Sequence, residues 1–188
     1  MARPCSSRTE STDEPLLRPT RNTPLKLHIH REGLNDRSVK AAHQKTVLYY
    51  IRSPYTLSST SPLKAYRGRP DQAPHIADMK PLDLSYTLEF PGPGPGSVPK
   101  VMIMPPSGGI FCTKSKFVVN GKEFAWKSDK ELREVGSNVV VAKFERTLFS
   151  ISEKGVMTIY ADGIERVDIV VLTGIAMQYR WEKTRDNH

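Results

Sequence analysis

Near the C-terminal end of the chain lies its most apolar run, Val167-Asp168-Ile169-Val170-Val171-Leu172-Thr173-Gly174-Ile175-Ala176-Met177-Gln178-Tyr179. The polar Arg180-Trp181-Glu182-Lys183 closes it. Read as a helix, the run is apolar nearly all round, a pattern that demands burial on every side. It is shorter than the roughly 20 apolar residues that a bilayer-crossing helix needs. Read as a strand, it draws support from the β-branched Ile169, Val170 and Val171, and Gly174 would cost a helix about 1 kcal/mol. Short apolar runs fit either pattern, so the periodicity leaves both open.

Ahead of this run the chain reads as short strands separated by turn signals. Thr46–Arg52 is rich in β-branched and aromatic residues and stops at Ser53-Pro54. Leu63–Arg67, His75–Met79 and Lys100–Met104 form further segments, and Leu84–Phe90 alternates with Leu84, Tyr86, Leu88 and Phe90 on one face. Asn120-Gly121 supplies the two positive φ angles of a type I′ turn between Ile110–Val119 and Lys122–Lys127. A two-residue loop sets Val119 against Lys122, Phe117 against Phe124 and Ser115 against Trp126. The aromatic side chains then share one face, while Cys112, Lys114 and Lys116 fall on the other. Ser128–Glu134 reads as one helical turn with Ser128 or Asp129 as its cap. Val139–Phe144 is a strand, Thr147–Ile151 and Val156–Tyr160 a second hairpin, and Asp162-Gly163 a turn.

Strands at this spacing have edges to protect, and closure into a barrel removes them. An apolar terminal helix can fill the lumen. The expected fold is therefore mainly β, a closed antiparallel barrel wrapped around a central hydrophobic C-terminal helix at about residues 167–180. Residues 1–44 read as a disordered tail rich in Pro, Ser, Thr and Arg, and residues 45–188 as the barrel domain. Within the tail, Leu25, Leu27 and Ile29 alternate as a short edge strand would.

The 28 Lys and Arg residues outnumber the 20 Asp and Glu, giving a net charge of +8. That surplus favours anionic partners. The N-terminus lacks an apolar signal-peptide core, and no segment has the length of a transmembrane helix, so a cytosolic or nuclear location is expected, peripheral at a membrane. The two cysteines, Cys5 and Cys112, do not suggest a structural disulfide.

Several features invite a chemistry that their composition does not support. Phosphate loops work through successive backbone N–H groups, and the prolines of Pro91-Gly92-Pro93-Gly94-Pro95-Gly96 have none. His28 and His30 alternate along the chain, but a metal site needs three or four convergent ligands. Cys112 lacks an evident base to activate it. No hydrolase elbow, zinc-protease helix or paired-cysteine motif occurs. No catalytic residue, metal site or cofactor is expected.

The run Phe117-Val118-Val119-Asn120-Gly121-Lys122-Glu123-Phe124-Ala125-Trp126-Lys127 resembles the core motif of fungal tubby C-terminal-like domains of unknown function. Val141–Phe144, Lys154–Ile159 and Asp168–Ala176 follow in that family's order. The resemblance covers about Thr46 to Lys183. It implies a closed barrel around a central C-terminal helix, and so favours the helical reading of the Val167 run. It also places the chain near tubby-like proteins, which bind phosphoinositides through basic surface residues, and near phospholipid scramblases. No binding residue of that family transfers position by position. The expected function is a non-enzymatic tubby-like module binding phosphoinositides or an anionic membrane surface through basic loops. Lys64, Arg67, Arg69, Lys114 and Lys116 are the candidate anion- or lipid-binding residues. The alternative is a protein-interaction or regulatory module whose N-terminal tail is a modifiable docking arm. Nucleic acid is disfavoured, because the hairpin aromatics point to the core rather than to a basic face.

Overall fold

The computed structural model describes residues 23–42, 45–54, 61–82, 85–91, 100–104, 114–128, 130–147, 150, 152–164 and 166–186. The strands are β1 (Leu25–Glu32), β2 (Asp36–Ala41), β3 (Val47–Arg52), β4 (Leu63–Tyr66), β5 (His75–Leu82) and β6 (Ser85–Glu89). They continue with β7 (Lys100–Ile103), β8 (Lys114–Val119), β9 (Lys122–Lys127), β10 (Glu131–Glu134), β11 (Val140–Arg146) and β12 (Glu153–Ile159). A short helix α1 (Ala161–Ile164) leads into the long helix α2 (Val167–Asp186).

All twelve strands form one antiparallel sheet in the order β7-β6-β5-β4-β3-β2-β1-β12-β11-β10-β9-β8. The two outer strands meet at a single bridge, where the Met104 N–H donates to the Lys116 carbonyl at 2.8 Å. The result is a nearly closed barrel. Its inner face is built by alternation: Leu27 and Ile29 on β1, Tyr49 and Ile51 on β3, Phe117 and Val119 on β8, and Phe124 and Trp126 on β9 are all buried.

The Val167 run is the helix that this wall encloses. Residues Val170–Gln178 are buried without interruption. They cover more than two turns, so every face of the helix meets protein. Trp126 Nε1–H donates to Thr173 Oγ1 at 3.1 Å, and the Thr173 hydroxyl is 3.1 Å from the Val170 carbonyl, which satisfies both polar groups in the core. Gly174 has a packing reason. A Cβ there would sit 2.3 Å from the Met157 ε-methyl and 3.1 Å from the Trp126 ring. The propensity loss at Gly174 is accepted so that α2 can approach the wall.

The hairpin register is as expected: Val119 faces Lys122, Phe117 faces Phe124 and Ser115 faces Trp126. Asn120 and Gly121 have φ of 50° and 73°, as a type I′ turn requires. The Phe117 and Phe124 rings stack with centroids 5.5 Å apart.

Three expectations need correction. The barrel begins at Leu25 rather than near residue 45. β1 and β2 lie in the stretch read as tail, and β1 is an internal strand paired with both β2 and β12. Its three apolar residues suffice because each is covered from inside by the barrel core. Residues Glu131–Glu134 form a strand instead of a helical turn, since Leu132 is drawn into the core and Ser128 at φ 53° already breaks β9 away. The second hairpin joins β11 to β12 with Arg146 opposite Gly155, so Thr147 is not in its first strand.

Candidate anionic-surface rim

The helix gives the barrel two distinct ends. The odd-numbered strands end and the even-numbered strands begin where α2 leaves; the opposite strand ends lie where it enters.

At the entry end, Asp168 in the first turn of α2 accepts a hydrogen bond from Tyr49 Oη at 2.6 Å and an ion-pair bond from Arg67. A carboxylate there also meets the positive end of the helix dipole. Burial, with Asp168 beside it, raises the Tyr49 phenol far above its ordinary pKa, so it stays a donor.

Arginines surround the other end of the helix. Arg37 is buried; its guanidinium pairs with Glu182 at 2.6 Å and lies 4.8 Å from the Tyr179 ring centroid. Arg180 donates to the buried Ser115 hydroxyl. Arg146 stacks on Trp181 at 3.6 Å. Cations at a helix C-terminus interact favourably with its dipole. Tyr179 Oη donates to the Asn35 carbonyl at 2.6 Å, which ties the β1–β2 turn to the helix. Tyr86, buried close to Arg180 and Glu182, has its phenol pushed up to about 12, chiefly by burial.

On the outer wall of the exit end the charge is not balanced in this way. Lys114 and Lys127 are cross-strand partners on β8 and β9. Both point outward, because their neighbours Ser115 and Trp126 point in. Arg52 and Lys64 are cross-strand partners on β3 and β4, outward for the same reason beside Ile51 and Ala65. All four are exposed, and none forms an ion pair with a described residue. Like charges set directly opposite one another destabilise a sheet. Lys130, also exposed, follows at the β9–β10 turn.

The five residues singled out from sequence do not form one patch. Lys64 and Lys114 reach the exit end four strands apart, about 19 Å along the wall at the usual strand spacing. Arg67 is engaged by Asp168 at the entry end. Lys116 is paired with Glu123 at 2.8 Å. Arg69 lies in the β4–β5 connection, where its field helps to lower the pKa of Glu32, after the larger effect of the Ser38 hydrogen bond. Sequence reasoning passed over Arg52, Lys127 and Lys130. The Asn-Gly register contained the signal for Lys127: pairing Ser115 with Trp126 puts Lys114 opposite Lys127.

His28 Nδ1 lies 2.7 Å from a Glu153 carboxylate oxygen, and His30 stacks on His28 at 6.4 Å. Burial, followed by Lys40, lowers the His30 pKa. Among the described residues no three His, Cys, Asp or Glu side chains converge as metal ligands. No described helix is long and apolar enough to cross a membrane. Cys112 and the Pro-Gly repeat from Gly92 lie outside the described residues. Comparison with family models, curated proteins and solved structures finds no match to this chain.

Proposed function

We propose that this chain is a non-enzymatic, tubby-like binding module that engages an anionic membrane surface or phosphoinositide through the exit end of its barrel. The observation that carries the reading is the two opposed cation pairs, Lys114–Lys127 and Arg52–Lys64. Each holds two positive charges side by side, against the stability of the sheet; Asp78 stands across from Lys64 and Glu131 from Lys127, but these carboxylates pair with His75 and with Arg133 and Lys143 instead. An anionic surface relieves both repulsions at once. A barrel around a helix is also the architecture that the tubby resemblance implies, which supports the family reading without supplying a binding residue.

Co-sedimentation with vesicles tests the proposal. The full chain pellets with phosphatidylcholine vesicles that contain phosphatidylserine or a phosphoinositide, and stays in the supernatant with phosphatidylcholine alone. Reversal of both pairs, in K114E/K127E and R52E/K64E variants, abolishes pelleting, and added salt weakens it by screening. Equal pelleting on neutral and acidic vesicles would overturn the reading.

A further inference from the structure

The exit end also carries exposed apolar tips. Leu34 is the most exposed large hydrophobic residue among those described, at 69%. It occupies the β1–β2 turn, and this tip is braced. Arg31 Nε donates to the Leu34 carbonyl at 2.8 Å with Nη2 on the same oxygen, Gly33 takes the positive φ of 57°, and Tyr179 holds the next carbonyl. Leu82, 49% exposed, ends β5 at the β5–β6 turn, and Met104, 42% exposed, follows β7 at the closing bridge. All three therefore sit at connections of the exit end. In order around the rim come Leu34, the Arg52–Lys64 pair, Leu82, Met104 and the Lys114–Lys127 pair.

We infer that the barrel docks end-on, with the C-terminal end of α2 facing an anionic bilayer and Leu34, Leu82 and Met104 entering the headgroup–acyl boundary between the two cation pairs. The inference rests on the anionic-surface reading and adds which face touches lipid and that apolar side chains penetrate it. Apolar contact with the acyl boundary, joined to cation contact with acidic headgroups, is the physical basis of interfacial binding. Met102, 57% exposed, lies two residues before Met104 on the outer face of β7 and extends its apolar surface along the wall; the other exposed apolar residues give no such combination. Val118, Val135 and Val139 lie on β8 and the β10–β11 connection, beside the ion pairs Lys116–Glu123 at 2.8 Å and Lys122–Glu134 at 2.9 Å. The nearby lysines there are already neutralised, so that wall does not attract an acidic surface.

Tryptophan quenching by brominated phospholipid reads the orientation. Leu34→Trp and Val139→Trp place a reporter at opposite ends of the full chain, each at an exposed position, and wild-type protein supplies the background from Trp126 and Trp181. Phosphatidylcholine–phosphatidylserine vesicles with bromine on the acyl chains are the probe. Both variants pellet with these vesicles, and the Leu34→Trp reporter is quenched at least about twofold more than the Val139→Trp reporter, as expected for a side chain roughly 5–10 Å into the interface. A Leu34→Ser/Leu82→Ser/Met104→Ser variant loses about tenfold in vesicle affinity while keeping its salt dependence. Pelleting with equal quenching, or with the stronger quenching at position 139, overturns the end-on orientation and leaves anionic binding standing. No pelleting of the wild-type chain with acidic vesicles overturns the anionic-surface reading, and the orientation falls with it.

Discussion

The two ends of the barrel treat charge in opposite ways. At the entry end, Asp168 gathers Tyr49 and Arg67 around the first turn of α2. At the exit end, the arginines nearest the helix are partnered (Arg37 by Glu182, Arg180 by Ser115), while the cations one layer further out face one another. Charges next to the helix thus serve the fold. The opposed lysines and arginine on the outer wall form no ion pair with a described residue, and this contrast makes the exit end the candidate for recognition.

The contrast breaks most visibly at Glu182. Glu182→Ala leaves Arg37 buried without its carboxylate and is expected to remove about 3 kcal/mol of stability, measured by urea unfolding. A Glu182→Leu/Arg37→Met double variant recovers most of that loss, since both charges then vanish together. If Glu182→Ala unfolds like wild type, Arg37 is not held in the way described.

Alkaline pH produces the next effect. Burial pushes the phenols of Tyr50 and Tyr86 up to about 12, and that of Tyr49 higher still. The unfolded chain releases these protons near pH 10, whereas the folded chain retains them. Folding thus binds more protons than unfolding in that range, and stability falls as pH rises from about 10 towards 12, while below about 10 these groups contribute in full. A loss of about 2–3 kcal/mol by pH 12 from Tyr86 alone is expected in the urea midpoint. A flat profile over that range would mean the phenols are not enclosed.

Tyr49→Phe probes the entry end alone. It deletes one hydrogen bond to a carboxylate and is expected to cost about 1.5 kcal/mol. The variant also loses less stability than wild type above pH 10, because one raised phenol is gone. The smallest effect has the opposite sign. Lys114→Glu turns a repulsive cross-strand pair into an attractive one and is expected to raise stability by about 0.5 kcal/mol while weakening binding to acidic vesicles. A gain in stability with unchanged binding would detach the pair from recognition.

Much of this architecture was legible before the structure. Asn120-Gly121 determines its own turn, and the pleat carries the register outward to Phe117–Phe124 and Ser115–Trp126. The apolar surround of Val167–Tyr179 demanded an enclosure. What failed to show was long-range. Leu25, Leu27 and Ile29 announce a short edge strand, but nothing local shows that β2 and β12 flank it on both sides and make it internal. Arg37 falls in the stretch read as tail, and its partner Glu182 lies 145 positions away, so nothing local marks it as buried. The candidate site was legible in part: Lys64 and Lys114 were identified, but their opposed partners Arg52 and Lys127 emerge only when strand ends are lined up around the barrel.

The pairing of β1 with β12, directly ahead of the helix that the wall encloses, has a consequence for biosynthesis. The greasy interior of β1–β11 has no closing neighbour until β12 is made, and no plug until α2 has left the ribosomal tunnel. While the strands are being made, a nascent chain must therefore carry that surface unshielded, and holding chaperones have their longest opportunity in the interval before α2 emerges.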